Sequence, residues 1–443
     1  MRAVSVKVTW PQALAWRMGR QLLDPVGNAP VAGVVRRLCG VQAQVASSAE
    51  LAIRVRRVSS RAGDVSRALA EGRLIKTWAM RGTLHLLTPE DAGTYLALIA
   101  AGRSWERASW QRYFGLSPKQ IELLREVARD ALDGATLSRE ELIAAITARR
   151  GFGHVGDALR SGWGTLLKPL AWQGDLCFGP SRGARVTFRL PKDASARWVG
   201  LPDPDVAAAR AVTAYVGAYG PATVEGFGTW LAGGYLGKRH IGGWFDALGD
   251  RLTRVDVEGQ RAYILTEHLD ELRATKPTTA VRLLPGFDQY VLGPTTSDGH
   301  VVPPARRRSV SKQSGWIAPV VVAGGSVRGT WQLASNEAQV AWFKEAGRPP
   351  RKALDLEVAR LAAIVDRDLR LLIAHAKVTN RLGRIVRLPL DDATARVTGV
   401  MLPRSAWRLD DDGQLIPTFA AKRVVVMAST SRDQADESDQ TEG

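Results

Sequence analysis

The chain has 443 residues, 45% of them hydrophobic and 24% charged, and a formal net charge of +17 at pH 7. That length fits about two to four compact units, and no run of roughly eighteen apolar residues marks a membrane span. Two cysteines, Cys39 and Cys177, with histidines scattered at 85, 154, 240, 268, 300 and 375, exclude a disulfide framework, an iron-sulfur cluster and a zinc site of familiar spacing.

The first residues, MRAVSVKVTWPQ, lack the apolar stretch of a secretory signal, so a cytoplasmic, nucleoid-associated protein is expected. The last thirteen, SRDQADESDQTEG, carry five acids against one arginine, which leaves +21 on the residues before them. Such an excess suits a polyanionic partner, because lysine and arginine contacts to phosphate release counterions. A genome rich in arginine codons produces the same excess, so charge alone does not decide. No G-x-x-x-x-G-K-[ST] is present, and neither a nucleotide nor a metal cofactor is expected.

In chain order, one pattern repeats three times: three helices, then a hairpin. Val31, Val34, Val35 and Leu38 fall at helical spacing before Gly40, and Ser47 with Glu50 reads as a capping box opening a second helix. DVSRALAEG forms a third, and RLIKTWAMRGTLHLL two strands about Arg81 and Gly82. The second run opens at Ser117 and Pro118, has a capping box at Ser138 and Glu141, a helix in SGWGTLLKPLAWQG and a hairpin in DLCFGPSRGARVTFRL. The third comprises PDVAAARAVTAYVGAYG, a helix capped by Thr223, GKRHIGGWFDALG and a hairpin turning at Glu258 and Gly259.

Each run reads as a winged helix, a helix-turn-helix with an added hairpin. The expected units are 10–115, 116–200 and 201–277, followed by a β-rich clamp with a long helix at 278–376 and an extension at 377–443 whose acidic end is expected to be disordered. The clamp should be a small barrel or sheet, with a hairpin at Gly324 and Gly325. Its helix should place Leu354, Val358, Leu361, Val365 and Leu369 on one face. The fold class is thus α+β, mainly α.

GVQAQVASSAELAIRVR, TWAMRGTLHLL, VRLLPGFDQYVLG and PVVVAGGSVRGTWQL together resemble the bacterial winged-helix family that contains the AlkZ and YcaQ DNA glycosylases, over roughly residues 10 to 375. The resemblance implies three winged helices in a C-shaped basic array with a β-rich C-terminal part. It also implies that a Gln-x-Gln motif carries catalysis in the first unit, here Gln42 and Gln44. The expected activity is then monofunctional excision of bulky N7-alkylated purines, extending to interstrand crosslinks, by a monomer acting on double-stranded DNA. Without the resemblance, a Q-x-Q before a helix is ordinarily a solvated loop or cap, and a non-catalytic DNA-binding regulator or lesion-binding protein is the alternative.

An amide is a poor general base but can orient a water. Gln44 is the expected water ligand, with Gln42 holding the sugar-phosphate or sharing that water. No lysine adjoins them in sequence to serve as a Schiff-base nucleophile. Arg81 and His85 on the first hairpin are candidate DNA contacts, although either could serve a local hydrogen bond instead. Arg306, Arg307, Arg308 and Lys312 form a basic loop suited to phosphate. In RSWERASWQRYF the aromatics Trp110, Tyr113 and Phe114 lie at i, i+3 and i+4, which favours core packing over a stacking surface.

Overall fold

The structure, a computed structural model, describes residues 6–162, 164–375, 407–409 and 415–417. The first run forms helices Val31–Arg37, Ala46–Arg54 and Asp64–Ala70 and strands Ile75–Trp78 and Leu84–Leu87. In the second run, helices Pro118–Leu132, Arg139–Thr147 and Lys168–Trp172 precede strands Cys177–Phe178 and Thr187–Arg189. Helices Pro204–Tyr219, Val224–Ala232 and Lys238–Asp246 with strands Leu252–Val257 and Gln260–Leu265 make the third. Local chemistry sets these boundaries. Ser138 and Glu141 satisfy each other's backbone N–H groups in a capping box, and the Thr223 hydroxyl accepts from Gly226 N at 3.0 Å.

The box expected at Ser47 and Glu50 does not form. Val45, with extended backbone, already precedes the helix, so Ser47 lies inside its first turn. Glu50 instead accepts from Val65 N at 3.2 Å and ties this helix to the next.

The first two hairpins are not separate. They join in one six-stranded sheet of order Val41–Gln42, Leu84–Leu87, Ile75–Trp78, Cys177–Phe178, Thr187–Arg189 and Leu137–Ser138, with Lys76 opposite Phe178 at the seam. The third hairpin recruits strand Val6–Val8 in parallel, Val6 facing Val255, and helix Trp10–Arg20 follows. Val8, Trp10, Ala13 and Trp16 share a core with Val255, Val257 and Ile264. Residues 6–20 therefore pack with the third hairpin, while Leu14 and Met18 also share a core with Val45 and Val55 of the first run. A parallel partner this distant leaves no local signature.

Among the described residues the C-terminal part forms no closed barrel. Its five strands form an open sheet in the order Val281–Leu284, Val320–Ala323, Ser326–Ala334, Glu337–Trp342 and Arg370–His375, and the two edge strands do not pair with each other. The long helix, Arg351–Val365, lays Leu354, Val358 and Leu361 against Val281, Leu283, Val321 and Val340. It ends earlier than its pattern suggested. Asp366 takes φ 54°, and Arg370 to His375 continue as a strand parallel to Glu337–Trp342, so Leu369 is not on the helix. Of the 377–443 extension, strand Trp407–Leu409 pairs with Leu415–Pro417; the acidic end lies outside the described residues. Among the described residues no helix is long and apolar enough to cross a membrane.

A buried ion pair links the first unit to the N-cap of the short helix Gln289–Leu292, which follows the sheet's first strand. Arg56 reaches Asp288 through Nη1 at 2.7 Å and Nη2 at 2.6 Å, with neither side chain exposed. The guanidinium also donates to the Ala52 and Gln21 carbonyls, which offsets its desolvation.

Candidate active site

Gln42 sits on the edge strand Val41–Gln42, opposite His85, and the next residue continues the pairing through Ala43 N to Leu84 O at 2.7 Å. The chain enters this strand at Gly40, whose φ is 104°, and a Cβ there would stand 2.7 Å from Leu87 Cδ2. Only glycine fits both the dihedral and the space. In extended backbone, residues two apart face the same side. Gln42 and Gln44 therefore meet, while Ala43 turns into the core. Gln42 is buried, at 5% exposure, and Gln44 is exposed.

The hydrogen bonds define which way each amide points. Arg81 Nη2 donates to Gln42 Oε1 at 3.3 Å, and a guanidinium has no acceptor. Gln42 must turn its carbonyl oxygen to Arg81, which directs its Nε2 to Gln44 Oε1 at 2.8 Å. Gln44 is left with its own Nε2 hydrogens and the second lone pair of Oε1. Arg81 lies in the tight turn Met80–Gly82 at φ 56°, and its Nη1 donates to Trp230 O at 2.6 Å. A polar line thus runs from the third helical run to the outermost glutamine. Burial lowers the Arg81 guanidinium to about 10, so it stays charged near neutrality.

A family model described as DNA glycosylase AlkZ-like matches residues 35–364, a span holding both glutamines and Arg81. The chain belongs to the AlkZ-like DNA glycosylase family. A curated relative, the interstrand DNA cross-link repair glycosylase of Streptomyces sahachiroi, is 49% identical over 358 residues, or 81% of this chain and 96% of its own. The solved structure of Streptomyces sahachiroi DNA glycosylase AlkZ is similar with a TM-score of 0.81 and 47% identity, covering 83% of this chain and 100% of that one.

In this AlkZ-like chain His85 is not a surface phosphate contact. Its ring is fully buried beneath the strand pair, with Nδ1 3.0 Å from Thr83 O and Nε2 without a partner among the described residues. Burial, aided by the Arg81 charge, drives the imidazole down to about 3, so it is neutral and donates from Nδ1. Arg81 likewise has its hydrogen bonds directed at Gln42 and Trp230. Arg81 contacts Gln42 directly, and His85 stands opposite Gln42 in the strand register.

The basic segment of the C-terminal part is helical: Pro304–Arg306 is a 3-10 turn and Arg307–Val310 a short α-turn. Arg306 is clamped by Glu345, at 2.5 and 2.6 Å, and lies over the Phe343 ring. Arg307 and Arg308 are exposed, and Lys312 is half-buried beside them in sequence.

The aromatic stretch divides differently from its expected packing. Phe114 is buried, but Tyr113 is 81% exposed, and both line a cavity of about 630 Å3 that also includes Arg81 and Gly82. Neither this cavity nor the Trp230 carbonyl, 149 residues from Arg81, announces itself in the sequence. Among the described residues no cluster of three or more His, Cys, Asp or Glu side chains is arranged to hold a metal. The buried thiols of Cys39 and Cys177 are pushed up to about 12 by desolvation, which makes them poor nucleophiles.

Proposed function

We propose that this protein is a monofunctional DNA glycosylase that hydrolyses the N-glycosidic bond of bulky N7-alkylated purines and unhooks interstrand crosslinks. The observation that carries the reading is the Arg81–Gln42–Gln44 line, which ends in one exposed amide of defined orientation. The three helix-and-hairpin runs are taken as winged helices arrayed as a C around double-stranded DNA, with the protein a cytoplasmic monomer needing no nucleotide cofactor. The name of the Streptomyces sahachiroi relative supports the extension to crosslinks.

A purine alkylated at N7 carries positive charge. When its bond from N9 to the sugar C1′ breaks, the pair of electrons goes to the base, which leaves neutral, and the sugar becomes oxocarbenium-like. Leaving-group activation is already present in the lesion, so the protein need not protonate the base. What it supplies is position. The free lone pair of Gln44 Oε1 accepts a hydrogen bond from a water, whose oxygen then attacks C1′ and whose proton passes to solvent. Gln42 holds Gln44, and Arg81 holds Gln42. In this reading Gln42, expected to hold the sugar-phosphate or to share the water, positions Gln44, a role supported by its hydrogen bonds to Arg81 and Gln44.

The test is a duplex carrying one bulky N7-alkylguanine. Release of the free alkylated base, with the strand breaking only after alkali, is the predicted result. Strand cleavage without alkali indicates a lyase, and tight binding without release leaves a DNA-binding protein.

A further inference from the structure

The cavity at Arg81 opens where three parts of the chain meet. These are the turn of the first hairpin, the helix Ala108–Phe114 with the helix Lys168–Trp172, and the end of the helix Val224–Ala232. Its aromatic lining consists of Trp110, Tyr113, Phe114, Trp172 and Tyr235. Among the described residues its charged lining is Arg81, Arg107 and Lys168, with no acid. Aromatic walls with only positive charge suit a flat π-system that is attached to something anionic. Arg81 is the shared wall, since the residue whose guanidinium holds Gln42 also lines the cavity.

We infer that this cavity receives the flat aromatic arm of a purine adduct, the substituent carried at N7, while the sugar of the same nucleotide stays at Gln44. The inference deepens the glycosylase reading above and rests on it. About 630 Å3 is room for a drug-sized group. Tyr113 and Tyr235, 81% and 77% exposed, contribute little to any core, and Arg107 lies over the Tyr235 ring at 5.8 Å, which holds that ring in place. Arg107 and Lys168, the lining cations not committed to the glutamines, match the phosphates that flank any lesion.

Tyr113→Ala combined with Tyr235→Ala tests this, because both side chains are exposed and their removal leaves the cores intact. Single-turnover base release is measured on duplexes carrying N7-methylguanine or an N7-guanine adduct with a planar bicyclic arm. Duplex binding is measured in parallel in a Gln44→Ala background. The double variant should lower the arm-to-methyl ratio of rates, and of affinities, by about tenfold or more, as expected for lost stacking. An unchanged ratio overturns the inference, as does an equal loss on both duplexes, which places the extruded purine itself in the cavity. If neither lesion is excised, the glycosylase reading fails, while the binding ratio still reports whether the arm is recognised.

Discussion

Gln42 donates to Gln44 Oε1 at 2.8 Å because Arg81 occupies the other end of its amide. Two neutral side chains thereby acquire one orientation, imposed by a cation that cannot accept a hydrogen bond. The exposed glutamine is prearranged without ordering a loop when DNA arrives.

Arg81→Met should lower the single-turnover rate of base release by about 10- to 100-fold, the range for lost positioning of a reactant. Arg81→Lys should recover part of it. The salt dependence of DNA binding should stay as in the parent protein. A fall of about one in the log-log salt slope would make Arg81 a phosphate contact instead.

The exposed pair Arg307 and Arg308 should behave in the opposite way. Changing both to alanine is expected to weaken duplex binding and reduce the salt slope by about 2, while saturating protein restores the excision rate. Arg306→Ala, which breaks the clamp to Glu345, should lower the melting temperature with a smaller change in slope. Equal slopes for all three proteins would remove this surface from the DNA interface.

His85 couples the site to pH through stability. Folded, its ring titrates near 3; unfolded, near 6.5. As pH drops below about 6.5 the unfolded chain takes up a proton that the folded one refuses, so stability is complete above that value and is lost progressively toward 3. Between neutrality and about pH 5 the loss is on the order of 2 kcal/mol. His85→Leu should show a smaller drop in denaturation midpoint over that interval, and an identical drop would contradict the assignment.

Asp288→Asn leaves Arg56 charged in a fully buried position. A destabilisation of about 3–5 kcal/mol is expected, read as a large fall in melting temperature. Replacing both partners by apolar residues of similar volume should recover much of it. A shift no larger than that from Lys192→Ala, which removes an exposed ion pair to Asp133, would show that the link is dispensable.

The elements legible in the sequence are those set by neighbouring residues. Turns at Arg81 and Gly82, at Glu258 and Gly259, and at Gly324 and Gly325 carry their own chemistry, as do the caps at Ser138 and Thr223. Ser47 and Glu50 had the same spacing as a true cap and misled, because the helix starts one residue before Ser47. Long-range pairing was invisible: the parallel strand Val6–Val8, the open edge of the C-terminal sheet, and the strand Arg370–His375 that a helical pattern had absorbed. At the site, alternation along an extended chain brings Gln42 and Gln44 together, and the family resemblance singled them out. The burial of Gln42 and the anchoring of Arg81 to Trp230 O depend on residues far away in sequence.

The most direct test compares the parent protein, Gln44→Ala and Gln44→Glu on one duplex containing N7-methylguanine, with affinity measured alongside. Orientation of water by an amide predicts that alanine lowers the single-turnover rate by about 100-fold or more with affinity nearly unchanged, and that glutamate, which also accepts a hydrogen bond, retains more activity than alanine. Equal rates for the parent and Gln44→Ala would contradict the account.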